Sequence, residues 1–183
     1  MPLPWSPVLP IRTPRLLLRA HTLDDLDDLL QFHGDPEVVR YLPWPVRGVD
    51  EARFALLAKI TQGRVDAEGQ WLVLAIELAE AGQVIGEVVL KCVSDTEGEV
   101  GFALHAGFHR AAYGFEAAHS MLSLGFGEFG LSHITATLDA RNVASAALLE
   151  KLGMTRTGLV ADQPFKSERV DELHYAIDAA DFA

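Results

Sequence analysis

Three β-rich runs follow one another with no helix between them: Trp71–Glu77, Gln83–Val93 and Glu99–Leu104. The first is continuously apolar. Only the turn-like Ser94-Asp95-Thr96-Glu97-Gly98 separates the last two. Three strands in a row read as an antiparallel meander, and that excludes a fold of strictly alternating βαβ units. The rest of the chain must be arranged around this sheet.

Upstream, Arg15-Leu16-Leu17-Leu18-Arg19 reads as a first strand. Leu23, Leu26, Leu29 and Leu30 share one helical face behind Thr22, a good N-cap with Asp25 three residues on. Asp24, Asp25, Asp27 and Asp28 are then expected to be solvated near the positive end of the helix dipole. Asp35-Pro36 restarts a short helix through Tyr41, and Leu42-Pro43-Trp44-Pro45 breaks it. A further helix is expected over 49–65, ending near Gly63. Beyond the meander come a helix over 113–128, a strand over 133–138, a helix over 142–152 and a last strand, or two, near 170–177. The fold class is α+β: a mixed, mostly antiparallel central sheet flanked by helices. With 183 residues it is expected to be one domain over 1–183, entered by a proline-rich extended arm over 1–10.

Charge narrows the partners. Lys and Arg number 15 against 26 Asp and Glu, giving a net charge of −11. Phosphate backbones and anionic lipid repel such a chain, so neither nucleic acid nor membrane is an expected partner. A cationic or amine-bearing partner is favoured. The single cysteine, Cys92, excludes an internal disulfide and a Cys-rich zinc site. With no signal peptide and no apolar run of membrane-spanning length, a cytoplasmic location is expected.

Several motifs lead nowhere. Gly125-Phe126-Gly127-Glu128-Phe129-Gly130 is a literal G-x-G-x-x-G, but a helix precedes it and a strand follows, the reverse of a dinucleotide fingerprint. It reads as a helix C-terminus with Gly130 as the left-handed cap. His105 and His109 are four apart, yet they follow a strand and flank Gly107, so a metal is not expected. Ser120, Ser123 and Ser132 lack a nucleophile-elbow context.

One constellation remains. The strand Glu99–Leu104 runs through the loop 105–112 into a helix starting near Tyr113. A helix N-terminus presents free N–H groups and a positive dipole end to an anion. Ala111, Ala112 and Gly114 permit close approach, and Arg110 adds a charged donor. Asn142 and Ser145 stand at the start of the next helix, where plain capping is the alternative reading.

At these residues the chain resembles the GNAT superfamily of acetyl-CoA-dependent N-acetyltransferases, in its ribosomal-protein N-terminal acetyltransferase (RimJ/RimL-like) branch. The resemblance spans about residues 11–178. It is carried by Thr13-Pro14-Arg15-Leu16-Leu17-Leu18-Arg19, Asp35-Pro36-Glu37-Val38-Val39-Arg40-Tyr41-Leu42, Val84-Ile85-Gly86, Glu99–Leu104, Glu116-Ala117-Ala118, Asn142-x-x-Ser145 and Leu148-Leu149-Glu150-Lys151-Leu152-Gly153-Met154. The family's pyrophosphate loop, R/Q-x-x-G-x-G/A, aligns with His109-Arg110-Ala111-Ala112-Tyr113-Gly114. His109 stands where Arg or Gln is usual, and Ala112 where the central Gly is. If the backbone there needs a Gly-only conformation, Ala112 costs roughly 1–3 kcal/mol; if it is helical, it costs nothing.

The resemblance implies acetyl transfer from acetyl-CoA to a primary amine by direct attack in a ternary complex, without a metal. The pantetheine arm would pair with Phe102, Ala103 and Leu104, and the pyrophosphate would rest on the segment His109 to Phe115. Asn142 would orient the pantetheine or thioester end and Ser145 would protonate the departing sulfur. For the base, Glu99 is the first candidate, Asp162 the second, and a water chain the third. Tyr41 and Trp44 are candidate lining residues of the acceptor pocket, with core packing as their alternative. The acceptor could be a protein N-terminus, an amino-sugar or a small amine, and a homodimer is an expectation from the branch. A degenerate acyl-CoA-binding module without turnover is the competing function, motivated by Ala112 and His109. An interaction domain without CoA is a third.

Overall fold

In the computed structural model, which describes residues 3–182, the three β-rich runs are β3 (Trp71–Leu78), β4 (Val84–Cys92) and β5 (Glu97–Leu104). They pair antiparallel in sequence order, Trp71 opposite Lys91 and Glu87 opposite Ala103. Before them come β1 (Ile11–Arg12), β2 (Leu16–Arg19), α1 (Leu26–His33), α2 (Pro36–Val39) and α3 (Val49–Ile60). After them come α4 (Tyr113–Gly127), β6 (His133–Asp139), α5 (Val143–Lys151), β7 (Thr155–Phe165) and β8 (Glu168–Asp178). The strands form one sheet in the order β1-β2-β3-β4-β5-β6-β8-β7. Only β5 and β6 run parallel. The fold is therefore α+β, a mostly antiparallel open sheet.

Period-2 alternation gives the sheet two apolar faces. Leu72, Leu74, Ile76, Val88 and Leu90 pack with Ala117, Ala118, Met121 and Leu122 of α4. On the other face, Ala75 and Val84 pack with Leu29, Phe32 and Leu56 of α1 and α3. The glycine-rich segment ends α4 as expected. Gly130 takes φ +69°, and the Leu131 N–H bonds the Gly125 carbonyl. Among the described residues no helix is long and apolar enough to cross a membrane.

Three features depart from the sequence reading. The proline-rich arm is not free: Trp5 is 2% exposed, stacks on Phe129 at 4.7 Å, and exchanges backbone hydrogen bonds with Val65. Met1 and Pro2 of the arm lie outside the described residues. The acidic start of the first helix is only partly solvated. Asp25 is buried, and its carboxylate accepts two hydrogen bonds from Arg19 and one from the Thr22 N–H. Burial pushes its pKa up, but the bonds from His21, Arg19 and Thr22 hold it well below the carboxylate range. Asp28 accepts the Val84 N–H and so ties α1 to β4. Finally, two long strands, β7 and β8, close the sheet. β7 is exposed along most of its length, so it carries no alternation to betray it.

Candidate active site

β5 and β6 pair only where Glu97, Gly98 and Glu99 face His133, Ile134 and Thr135; beyond that they separate. Successive residues of a strand aim their backbone groups at opposite neighbours. The His105 N–H bonds Ile85 of the β4 side, and the Gly98 carbonyl accepts Thr135 on the β6 side. By this parity the Val100 C=O and both backbone groups of Phe102 and Leu104 face an open slot, while the Val100 N–H belongs to the Glu99–Thr135 pairing. An extended, amide-bearing arm can pair with such an edge. Phe102 and Leu104, expected to pair with the pantetheine arm, turn their backbone groups to the slot, whereas Ala103 turns its own to β4.

The loop after β5 is held in an unusual shape. Arg110 and Ala112 both take φ +63°, the left-handed region, so the conformation left open for Ala112 is the strained one. Ala112 is the N-cap of α4, and the first N–H groups of that helix have no intrahelical acceptor. Arg15 fixes the loop from across the fold. Its guanidinium donates to the Ala111 carbonyl at 2.9 Å, lies 4.3 Å above the Tyr113 ring and pairs with Glu116 at 2.7 Å. Burial pushes Glu116 up, but Thr13 and Arg15 hold it below its ordinary value, so it stays ionised. His109 turns back toward the strand, its Nε2 2.8 Å from the Leu104 carbonyl. That carbonyl faces the slot, so His109 already occupies one of its two lone pairs. His105 instead accepts the Gly107 N–H. The two histidines do not converge, and among the described residues no group of three His, Cys, Asp or Glu could hold a metal.

Across the slot, the β6–α5 turn is clamped by charge. Asp139 is buried and holds Arg141 at 2.6 Å, which also reaches Glu168 at 2.8 Å. The hydrogen bonds from Arg141 lower the Asp139 pKa. The turn delivers Asn142 as the N-cap of α5, its Oδ1 accepting the Ser145 N–H at 3.1 Å. The capping alternative is therefore realised, and it leaves the Asn142 amide N–H groups and the Ser145 hydroxyl available.

A cavity of about 470 Å³ joins these parts. Asn142, Ser145 and Leu149 line it from α5, and Glu99, Gly101 and Ala103 from β5. Tyr41, Trp44, Lys59 and Gln62 line it from the α1–α3 side. It thus passes through the slot from one face of the sheet to the other. Of the residues singled out from sequence, it brings together Tyr41, Trp44, Glu99, Phe102, Ala103, Asn142 and Ser145. Leu104 and the loop His109-Arg110-Ala111-Ala112-Tyr113-Gly114-Phe115 lie outside its lining. Asp162 lies elsewhere: it is exposed at a bulge of β7 with φ +58° and pairs with Arg169 at 2.5 Å. A base must come within hydrogen-bond reach of the amine, so Asp162 leaves the candidate set. Glu99 accepts the Thr137 hydroxyl at 3.3 Å and stands 3.9 Å from the Lys91 ammonium.

The sequence reading missed Glu87. It is 2% exposed, lines the cavity floor, and holds the Lys59 ammonium at 2.8 and 2.9 Å. Burial alone would raise its pKa; Lys59 and His33 bring it below the carboxylate range, so it is ionised. His33 Nε2 stands 3.7 Å away, and burial lowers the His33 pKa. Arg47 contacts His33 Nδ1 at 2.8 Å and lies 4.8 Å above the Trp44 ring. The available signal was a lone carboxylate inside Val84–Leu90, an otherwise apolar central strand. A groove of about 580 Å³ along α3 adjoins the cavity and shares Trp44, Lys59 and Gln62 with it.

The profile of the family described as "Acetyltransferase (GNAT) domain" matches residues 15–155. "Uncharacterized N-acetyltransferase YnaD" of Bacillus subtilis is 29% identical over 91% of this chain and 95% of its own length. The crystal structure of an acetyltransferase (GNAT family) from Bacillus anthracis superposes with a TM-score of 0.83 at 27% identity, covering 93% of this chain and 98% of that one. RimL, a ribosomal alpha-N-protein acetyltransferase in complex with coenzyme A, superposes at 0.79 with 16% identity, covering 93% and 97%.

Proposed function

Since the chain belongs to the acetyltransferase (GNAT) domain family and is an acetyl-CoA-dependent acetyltransferase, we propose that it acetylates a primary amine in the cavity that crosses the β5–β6 slot. One observation carries this reading. A single continuous space holds Ser145 and Asn142 of α5 on one side of the sheet, Glu99 at the slot, and Tyr41 and Trp44 on the other side. Two substrates can therefore meet end to end, which is what direct transfer requires.

The donor supplies an activated acetyl thioester. The open edge of β5 offers amide-pairing groups for its pantetheine arm, and the N–H groups of α4 with Arg110 suit its pyrophosphate. The slot-facing N–H of Phe102 would steady the oxyanion. Glu99, directly or through water, takes the proton the amine loses as nitrogen bonds to the carbonyl carbon. The carbon–sulfur bond breaks, Ser145 gives the sulfur its proton, and the proton held by Glu99 returns through water to Ser145. The net change moves one proton from amine to thiol, and Asn142 holds the segment carrying Ser145. The acceptor is a protein N-terminus, an amino-sugar or a small amine; RimL's alpha-N-protein acceptor exemplifies the first class.

Calorimetry with acetyl-CoA and with free CoA, followed by thiol release over an amine panel, tests the reading. Micromolar binding and amine-dependent thiol release are expected. The His109 contact to Leu104 and the strained Ala112 favour the second reading, a binding module without turnover. Tight binding with no thiol release from any amine would establish that one. Absent binding would overturn both.

A further inference from the structure

The acceptor end of the cavity contains hydrogen-bond donors that the fold leaves unused. Trp44 lines the cavity, and its indole Nε1 is buried without a hydrogen-bond partner. A buried indole N–H ordinarily finds an acceptor. Lys59 lines the same cavity, its Nζ 5.5 Å from the Trp44 ring centroid. An ammonium group has three donors. Glu87 Oε1 accepts one of them at 2.9 Å, and Oε2, 2.8 Å from the nitrogen, is left without a hydrogen bond, so at least one donor remains. His33 and Arg47 face the same group from α1 and the loop before α3, but they bond each other. The floor is thus rich in donors, and its one carboxylate is already committed to Lys59.

Its position along the sheet matters. Glu87 pairs with Ala103 and Lys91 with Glu99, so the two carboxylates lie four residues apart along the strands. At 3.3 Å per residue that is about 13 Å between their backbones. An amine at Glu99 and an oxygen at Lys59 therefore cannot sit on neighbouring carbons.

We propose that Trp44 Nε1–H and the free Lys59 N–H form a distal acceptor subsite, and that the acceptor is an extended primary amine whose far end carries a carboxylate or amide oxygen. The inference rests on reading this cavity as the acceptor site. It runs against the whole-chain charge of −11, which favours a cationic acceptor.

The protein has three tryptophans, so its N–H correlation spectrum has three indole signals, and Trp44→Phe identifies one of them. Wild-type protein is titrated with ε-aminocaproate, ε-aminocaproamide, hexylamine and hexamethylenediamine. A saturable downfield shift of the Trp44 signal is expected with the first two and not with the last two. The carboxylate and carboxamide arms separate a small ω-amino acid from a peptide carbonyl as the natural oxygen. Lys59→Met combined with Glu87→Leu, which leaves no buried charge unpaired, should weaken ε-aminocaproate about tenfold and hexylamine far less, since only the first uses a charged donor. No shift with any compound, an equal shift with hexylamine, or preference for the diamine would overturn the proposal. The readout needs no turnover. A shift without catalysis would retire the transferase reading and keep the subsite; catalysis without the shift would do the reverse.

Discussion

The two ends of the cavity are built from different materials. The proposed donor site, which continues past the cavity to the α4 loop, is mostly backbone: an unpaired strand edge, the first N–H groups of α4, and a loop whose shape Arg15 holds from outside. The proposed acceptor end is side chains: Trp44, Lys59 and Glu87, drawn from a loop, a helix and a strand. A site made of backbone tolerates changed side chains, because every residue brings the same N–H and C=O. A site made of side chains changes its chemistry with each substitution. One chain can therefore keep the family's donor and still have an acceptor of its own.

The sharpest test of this contrast is Glu87→Ala. It strands the nearly buried Lys59 ammonium, and breaking such a pair costs about 3–5 kcal/mol. Urea unfolding should show that loss, and Glu87→Leu combined with Lys59→Met should recover most of it. Equal loss in the double variant would mean that the charges are not what holds this end. Next comes Ser145→Ala at the donor end, where turnover should fall about a hundredfold while acetyl-CoA affinity and stability hold. Unaltered turnover removes Ser145 from the chemistry.

A smaller effect follows from His33. Its folded pKa lies below the ordinary value of about 6.5, so between the two the unfolded chain binds a proton that the folded chain refuses. Stability should be whole above about pH 6.5 and fall below it, by at most about 1.4 kcal/mol per pH unit. His33→Gln should flatten that part of the profile; an unchanged slope would assign it to another group. The smallest is Ala112→Gly. Relief of left-handed strain, about 1–2 kcal/mol, is offset by roughly 0.4–1 kcal/mol of added chain entropy. A rise in Tm of a degree or two on the scale of ~0.5 kcal/mol is expected, with acetyl-CoA bound more tightly. Weaker binding would show that the Ala112 methyl does not crowd the loop.

The same contrast explains what could be read in advance. The meander, the N-cap Asn142 and the helix end at Gly130 are local: periodicity, cap chemistry and a left-handed glycine lie within a few residues of one another. The donor end inherits that legibility because it consists of element ends. Glu87 meets Lys59 across 28 residues, and Arg15 meets Glu116 across 101. No periodicity encodes either meeting. Asp25 misled for a related reason. It caps locally, as its neighbours suggested, but Arg19 and His21 also bury it. Asp162, the second candidate base, lies at a bulge of β7, whose exposed residues give no alternation to fix its register.

The open edge of β5 also sets a pattern in time. The amides of Gly101, Ala103 and His105 are held by β4, whereas those of Phe102 and Leu104 look into the slot. In deuterated water the strand should therefore exchange in alternation, slow and fast residue by residue. An arm that pairs with the edge would slow the fast set and leave the others as they were. Residues two apart would then report donor occupancy directly, and a uniform change along the strand would mean that the protein had tightened elsewhere.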